Sequence, residues 1–157
     1  MTEHDRDQDL DPAAIARRII DTNQYMVIAT ANADGTPWIS PVWFAHDGYR
    51  AFMWLSRPGR RHSRNLEAQA KVAITIFDST QALGTGFGVT MEADAAVLDG
   101  DDLVRATEIA SRRSASNGGG MLTVEMLRAG AALRLYRAVP TRLFVILGDD
   151  ERVPIEL

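Results

Sequence analysis

Asp34-Gly35 is the feature that most narrows the folds open to this chain of 157 residues. The pair lies between two runs rich in β-branched and aromatic residues, Tyr25–Ala31 and Pro37–Ala45. Asp-Gly at that place marks a tight hairpin, because the turn needs a positive φ that glycine adopts without steric cost. His46-Asp47-Gly48 supplies a second turn before a third run, Tyr49–Ser56. Strands joined by such short turns lie antiparallel, since parallel neighbours need a long crossover.

The rest of the chain reads as more strands with a few helices between them. Asp11 followed by Pro12 is an N-cap and first helical position, and Ile15, Ile19 and Ile20 share one face of a helix running to about Asn23. A short helix is expected near Arg61–Ala68. Lys71–Asp78 alternates, with Val72, Ile74 and Ile76 on one side, as a fourth strand. A fifth runs from about Gly86 to Leu98. Asp101 is expected to cap a helix holding Leu103, Val104 and Ile109, followed by a mobile Ser/Asn/Gly loop at Ser114–Gly120. A short helix at Thr123–Arg128 precedes two closing strands, Ala132–Ala138 and Thr141–Leu147, with Arg152–Leu157 as a further edge. This pattern indicates a mainly β (α+β) antiparallel barrel rather than a doubly wound parallel sheet. No repeat or linker interrupts it, so residues 11–157 read as a single domain behind an acidic lead, residues 1–10, expected to be disordered.

Charge placement restricts the partners. Residues 1–11 hold five acids and one base; of the 21 acids and 17 bases overall, the remaining chain keeps 16 of each. A neutral body offers no broad field for nucleic acid or an anionic bilayer. No cysteine is present, which excludes disulfides, thiolate metal sites and cysteine nucleophiles. The acidic start is unlike a secretory signal and no apolar run reaches the roughly 18 residues of a membrane helix, so a cytoplasmic location is expected.

Against that neutral body, Arg57, Arg60, Arg61, His62 and Arg64 crowd into eight residues straight after Ala51-Phe52-Met53-Trp54-Leu55. A strand delivers the chain through Ser56 and a Pro58-Gly59 turn into a helix start. Free amides there, with guanidinium forks beside them, suit a phosphate. The plainer alternative is a solvated basic face. Trp38, Trp43 and Trp54 on the neighbouring strands are core or interface aromatics when taken alone; beside an anion site they suggest a flat ring lying along the strands. Other motifs carry less. Gly84-Thr85-Gly86-Phe87-Gly88 leads into a strand rather than a helix and so is no dinucleotide fingerprint. His4, His46 and His62 have no metal-ligand spacing, and no metal site is assigned. Glu92 and Asp94 fit the exposed face of a strand.

Ala29-Thr30-Ala31, Asp34-Gly35-Thr36-Pro37, Ile39-Ser40-Pro41-Val42-Trp43-Phe44, Trp54-Leu55-Ser56, Arg61-His62-Ser63-Arg64-Asn65-Leu66 and Val72-Ala73-Ile74 follow one another in an order that resembles the pyridoxamine 5′-phosphate oxidase-like group of FMN-binding split-barrel proteins. Leu135-Tyr136-Arg137-Ala138-Val139-Pro140 resembles that group's closing strands. The resemblance implies a six-stranded split barrel that forms a homodimer with FMN in a cleft between subunits. It implies that Ser40, Pro41, Val42 and Trp43 run along the flavin ring, largely through backbone groups. Leu55 and Ser56 would line the ribityl and phosphate end, Arg61 and His62 would hold the phosphate, and Ser63 and Asn65 would add to the same turn. His62 stands where the group usually has lysine.

The function implied is an FMN-dependent oxidoreductase acting on a small molecule, with no catalytic acid or base evident and with Ser114–Gly120 as a candidate gate. One alternative is a reductase using the deazaflavin F420, whose charged tail Arg57, Arg60 and Arg64 could accept. Another is a non-catalytic binder of flavin or haem. Vitamin B6 oxidases carry arginine and lysine where this chain has Ser40 and Ala45, and end in an Arg/His-rich motif where this chain has Glu151-Arg152-Val153-Pro154-Ile155. The substrate phosphate therefore lacks its clamp. Incubated with FMN and pyridoxamine 5′-phosphate, the protein should form negligible pyridoxal 5′-phosphate by absorbance; robust turnover would contradict this reading.

Overall fold

The computed structural model describes residues 11–84, 86–147 and 151–157. The acidic lead at 1–10 lies outside the described residues. Helix α1 (Pro12–Thr22) is followed by strands β1 (Tyr25–Ala31), β2 (Pro37–Trp43), β3 (Ala45–His46) and β4 (Phe52–Ser56). Next come α2 (Arg61–Ala68), β5 (Lys71–Phe77) and β6 (Gly88–Val97), then α3 (Gly100–Ser116), α4 (Val124–Leu127), β7 (Arg134–Ile146) and β8 (Arg152–Pro154). Among the described residues six strands have five residues or more, and β3 and β8 are short additions. Every pairing is antiparallel, in the order β2-β1-β5-β6-β7-β4-β3, with β8 on β7.

That order dictates the shape. Strands β2 and β3 are the two extremes of the sheet, yet only Phe44 separates them in the chain. The sheet must curl until its edges nearly meet, and no ladder joins β2 to β3 or β4, so the result is an antiparallel barrel with a split. The uninterrupted strand expected over Pro37–Ala45 therefore breaks at Phe44. Its ring is wholly buried and its N–H bonds to the Gln24 carbonyl at 3.2 Å rather than to a strand partner.

Alternation fills the interior. On β4, Phe52 and Trp54 point inward, and Met53 and Leu55 point outward. Inside, they meet Met26, Ile28, Ile74, Ile76, Val89 and Met91, together with Ile15, Ile19 and Ile20 of α1. As the sequence implied, Asp11 caps α1, its Oδ1 accepting from the Ala13 N–H at 3.0 Å. Outside, α3 lays Leu103, Ala106 and Ala110 against Ala45, Met53, Leu98, Leu127 and Leu135. Trp54 is thus a core residue, 0% exposed and stacked on Tyr136 with ring centroids 5.7 Å apart. It cannot lie along a bound ring.

Three further expectations change. The two closing strands are one, because β7 takes different partners along one edge: Arg134–Ala138 pairs with β4 and Phe144–Ile146 with β8. Pro140, which falls between the two expected strands, sits at a bulge where Thr141 is the extra residue and donates through Oγ1 to the Glu92 carbonyl. Asp101 lies within the first turn of α3, and the N-cap is Asp99, whose carboxylate goes to Arg134 at 2.8 Å instead of to the helix amides. Ser114–Ser116 belongs to α3, and Ser114 pins the following glycines by accepting from the Gly119 N–H and donating to the Gly120 carbonyl, both at 2.8 Å. Trp54→Ala should cost ~3–5 kcal/mol of stability as a large-to-small core change, read as a lower urea midpoint at constant slope. Trp54→Phe, which also removes an indole N–H left without a partner, should cost less.

Candidate functional site

The inward faces of β1, β2 and β4 turn polar at the same mouth of the barrel. On β1, Met26 and Ile28 give way to Thr30; on β2, Val42 gives way to Ser40 and Trp38; on β4, Phe52 and Trp54 give way to Ser56. Helix α2 lies over this mouth and lowers Ser63 and Asn65 into it, both buried, with His62 half-buried beside them. A polar residue buried without a partner would cost a few kcal/mol, so the contacts here must be complete.

They are. Trp38 donates through Nε1 to Ser40 Oγ at 3.1 Å, and Ser40 Oγ is hydrogen-bonded to His62 Nδ1, also 3.1 Å away. His62 Nε2 is hydrogen-bonded to Ser56 Oγ at 2.7 Å, and Ser56 also accepts from the Ser63 hydroxyl at 2.9 Å. Ser56 passes its own proton to the Arg57 carbonyl at 3.3 Å. Beside this chain, Asn65 Nδ2 donates to Thr30 Oγ1 at 2.9 Å, and Thr30 donates to the Trp38 carbonyl at 3.3 Å. Strands β1, β2 and β4 and helix α2 are thereby tied by side chains across the split.

Above that floor is a concentration of cations. Arg57, Arg60 and Arg64 are exposed and Arg61 is partly covered. The ion pairs among the described residues lie elsewhere: Lys71–Asp94, Arg105–Asp47, Arg134–Asp99, Arg137–Asp102 and Arg142–Glu92. The Arg61 guanidinium sits 4.4 Å over the Trp38 ring. No side chain caps the start of α2, so its first-turn amides keep their positive end open. A cleft of about 490 Å³, lined by Asn32, Ala33, Arg61, Arg64, Asn65 and Ala68, opens at this helix. A larger concavity, about 720 Å³, is elsewhere, along β7 and β8 beside Tyr49 and Arg50, and is lined by none of the expected cofactor-binding residues.

Of those residues, Ser40, Ser56, His62 and Ser63 share one hydrogen-bonded chain and Asn65 lies alongside it. Arg61 reaches the same mouth. Pro41 is exposed on β2, an edge strand with one side unpaired, whereas Val42 turns into the core. Trp43 and Leu55 pack against the outer cluster beneath α3; only their backbones can face the mouth. Both ring nitrogens of His62 are hydrogen-bonded to serines, a commitment that the sequence did not disclose. Thr30 was given no role at this site, and Trp38 was expected only as one of three aromatics beside a flat ring. Thr30 carried a signal, being the polar end of the alternating run Met26, Ile28, Thr30. The Arg61 contact of Trp38 depends on how α2 crosses β2, which no local pattern encodes.

The sequence from residue 13 to residue 137 matches the family model described as pyridoxamine 5′-phosphate oxidase. No curated protein matches the chain. Solved structures do. The haem storage protein HutZ from Vibrio cholerae is 22% identical at a TM-score of 0.70, over 90% of this chain and 100% of that one. A haem binding protein from Mycobacterium smegmatis is 20% identical at a TM-score of 0.75, over 93% of this chain and 58% of its own length. An F420 reductase is 20% identical at a TM-score of 0.59, over 82% of this chain and 94% of that one. At these identities the likeness is one of fold.

Burial pushes the His62 pKa below its ordinary value of 6.5, and the nearby Arg60 charge acts in the same direction. His46 is also lowered, mainly by burial, although Asp21 at 3.2 Å opposes the shift. Both rings are neutral in the fold over a range where the unfolded chain takes up protons. Their contribution to stability is therefore complete above about pH 6.5 and declines as the pH falls towards their lowered folded values. The melting temperature should drop between pH 7.5 and 5.5, and His62→Asn should flatten part of that slope, with His46 supplying the rest. An unchanged slope would mean that His62 is not held neutral at the mouth.

Proposed function

The chain belongs to the pyridoxamine 5′-phosphate oxidase family, and from that premise we propose that it is an FMN-binding oxidoreductase. The observation that carries the proposal is the satisfied Ser40–His62–Ser56–Ser63 chain lying beneath unpaired arginines at the open start of α2. Such a place offers charge-assisted donors to a phosphate and a prearranged floor that needs no partner of its own. The adjoining cleft of about 490 Å³ falls within the ~300–1,000 Å³ of ordinary small-molecule sites.

Arg61 and the first-turn amides of α2 would hold the phosphate, with Arg57, Arg60 and Arg64 adding attraction from the rim. Ser40, Ser56, Ser63 and Asn65, locked by His62 and Thr30, would shape the wall beneath. The outer edge of β2, from Ser40 to Trp43, would present backbone groups to the ring. Bound flavin would supply the exchange of electrons with a small-molecule substrate, while the protein sets position and access. A second copy of the chain would complete the cleft. In support, Tyr25, Ile39 and Phe77 are exposed on the outward faces of the adjoining strands β2, β1 and β5, an apolar surface of the sort that protein partners cover.

A second reading is a haem binder without turnover, favoured by the structural likeness to a haem storage and a haem binding protein. Arginines would suit the haem carboxylates. The two histidines among the described residues, His46 and His62, speak against it. His62 has both nitrogens on serines, while His46 has Nε2 against Asp21 and Nδ1 accepting from the Tyr49 N–H, so neither offers an axial ligand without rearrangement.

Absorbance of the purified protein, followed by titration with FMN, F420 and haem, separates the cases. The expected spectrum has the two bands of a flavin. A single deazaflavin band would favour F420, a Soret band would favour haem, and failure to take up FMN would refute the proposal. In the flavin case Arg61→Ala should weaken FMN binding by ~1.5–3 kcal/mol, the range for a hydrogen bond to a charged group.

A further inference from the structure

We propose that Trp38 is a positioning residue for the phosphate end of the site: its indole face holds the Arg61 guanidinium beside the cleft, and its N–H, bonded to the Ser40 hydroxyl, helps to hold the ring in place. The inference rests on the FMN reading and adds to it a residue for which the core has no use. Trp38 is 40% exposed on the edge strand β2, and it belongs to neither buried cluster. An exposed tryptophan on an edge strand brings little to folding, yet both polar features of this one are used. The guanidinium lies 4.4 Å over the ring centroid, and Nε1 is 3.1 Å from Ser40 Oγ.

The two contacts serve one end. An arginine free in solvent samples many rotamers, and a ligand that recruits it must offset that lost freedom; an arginine already laid on a flat ring has forgone most of it. Trp and Arg are well matched for this, a planar cation on the negative face of an indole. At the ring's other edge, donation from Nε1 to Ser40 Oγ, which is itself bonded to His62 Nδ1, anchors the indole against the serine–histidine chain.

FMN affinity is measured by flavin fluorescence for the wild type, Trp38→Ala, Trp38→Phe, Arg61→Ala and the Trp38→Ala/Arg61→Ala double variant. Trp38→Ala should weaken binding roughly three- to tenfold, with a melting temperature close to that of the wild type because the side chain is exposed. Trp38→Phe, which keeps a ring face but no N–H, should recover most of the loss. In the Arg61→Ala background the Trp38→Ala change should have much less effect, since the tryptophan then has no guanidinium to hold. Wild-type affinity in Trp38→Ala overturns the inference, as does an undiminished loss in the Arg61→Ala background or a Trp38→Phe variant as weak as Trp38→Ala. A wild-type protein that takes up no FMN removes the reading beneath it, a result distinguished by a flat wild-type isotherm.

Discussion

The structure depends on one constraint of connectivity: the two outermost strands of the sheet are consecutive pieces of chain. Strand β2 stops at Trp43, β3 begins at Ala45, and Phe44 alone spans the gap with its ring in the core. A flat sheet of seven strands, spaced about 4.8 Å apart, would put its edges roughly 30 Å from each other. One residue cannot bridge that, so the sheet curls. Because Phe44 bonds to Gln24 and not across the gap, the barrel keeps an open seam. The mouth that α2 covers and the exposed edge of β2 both follow from that seam.

Curling decides where polar groups are tolerated. Each inward face is apolar through its middle, where Ile28, Trp54 and Val42 meet the isoleucines of α1, and turns polar at one end. Thr30, Ser40 and Ser56 would be costly in the middle of the barrel. At the mouth they are satisfied by one another and by the buried side of α2. The helix thereby divides its residues by environment, with Ser63 and Asn65 down and Arg60 and Arg64 out. Among the described residues the charge concentration forms no close ion pair, although the Arg61 charge reaches Asp34, while the body of the protein pairs its arginines with aspartates. A cluster of unpaired like charges is unfavourable in itself, and its persistence over a fully bonded floor is a reason to regard it as a place for an anion.

Much of this was legible locally. Asp34-Gly35 and Asp47-Gly48 marked turns, and Asp11-Pro12 marked the start of α1. The alternation of Val72, Ile74 and Ile76 marked β5. The basic segment after β4 was found from density of charge, and its serines and asparagine prove to be neighbours in space. What misled was of one kind. Pro140 signals a break because it lacks an N–H, but a bulge opposite Ala93 and Glu92 absorbs the missing donor and β7 continues. Asp99 and Asp101 are equally good caps by type; the helix starts after Asp99, whose carboxylate pairs with Arg134, distant in sequence, and caps no amide. Trp54 looked like a candidate to face a ring until the curl of β4 turned it inside.

The sequence alone determined most of the strands, their antiparallel sense, the start of α1 and the concentration of positive charge, because each of these depends on residues within a few positions of one another. Tertiary structure decided the seam at Phe44, the burial of Trp54, the commitment of both His62 nitrogens to serines and the seating of Arg61 on Trp38. These are contacts between segments tens of residues apart, and their energies exist only once the sheet has closed far enough to bring β1, β2, β4 and α2 to a single mouth.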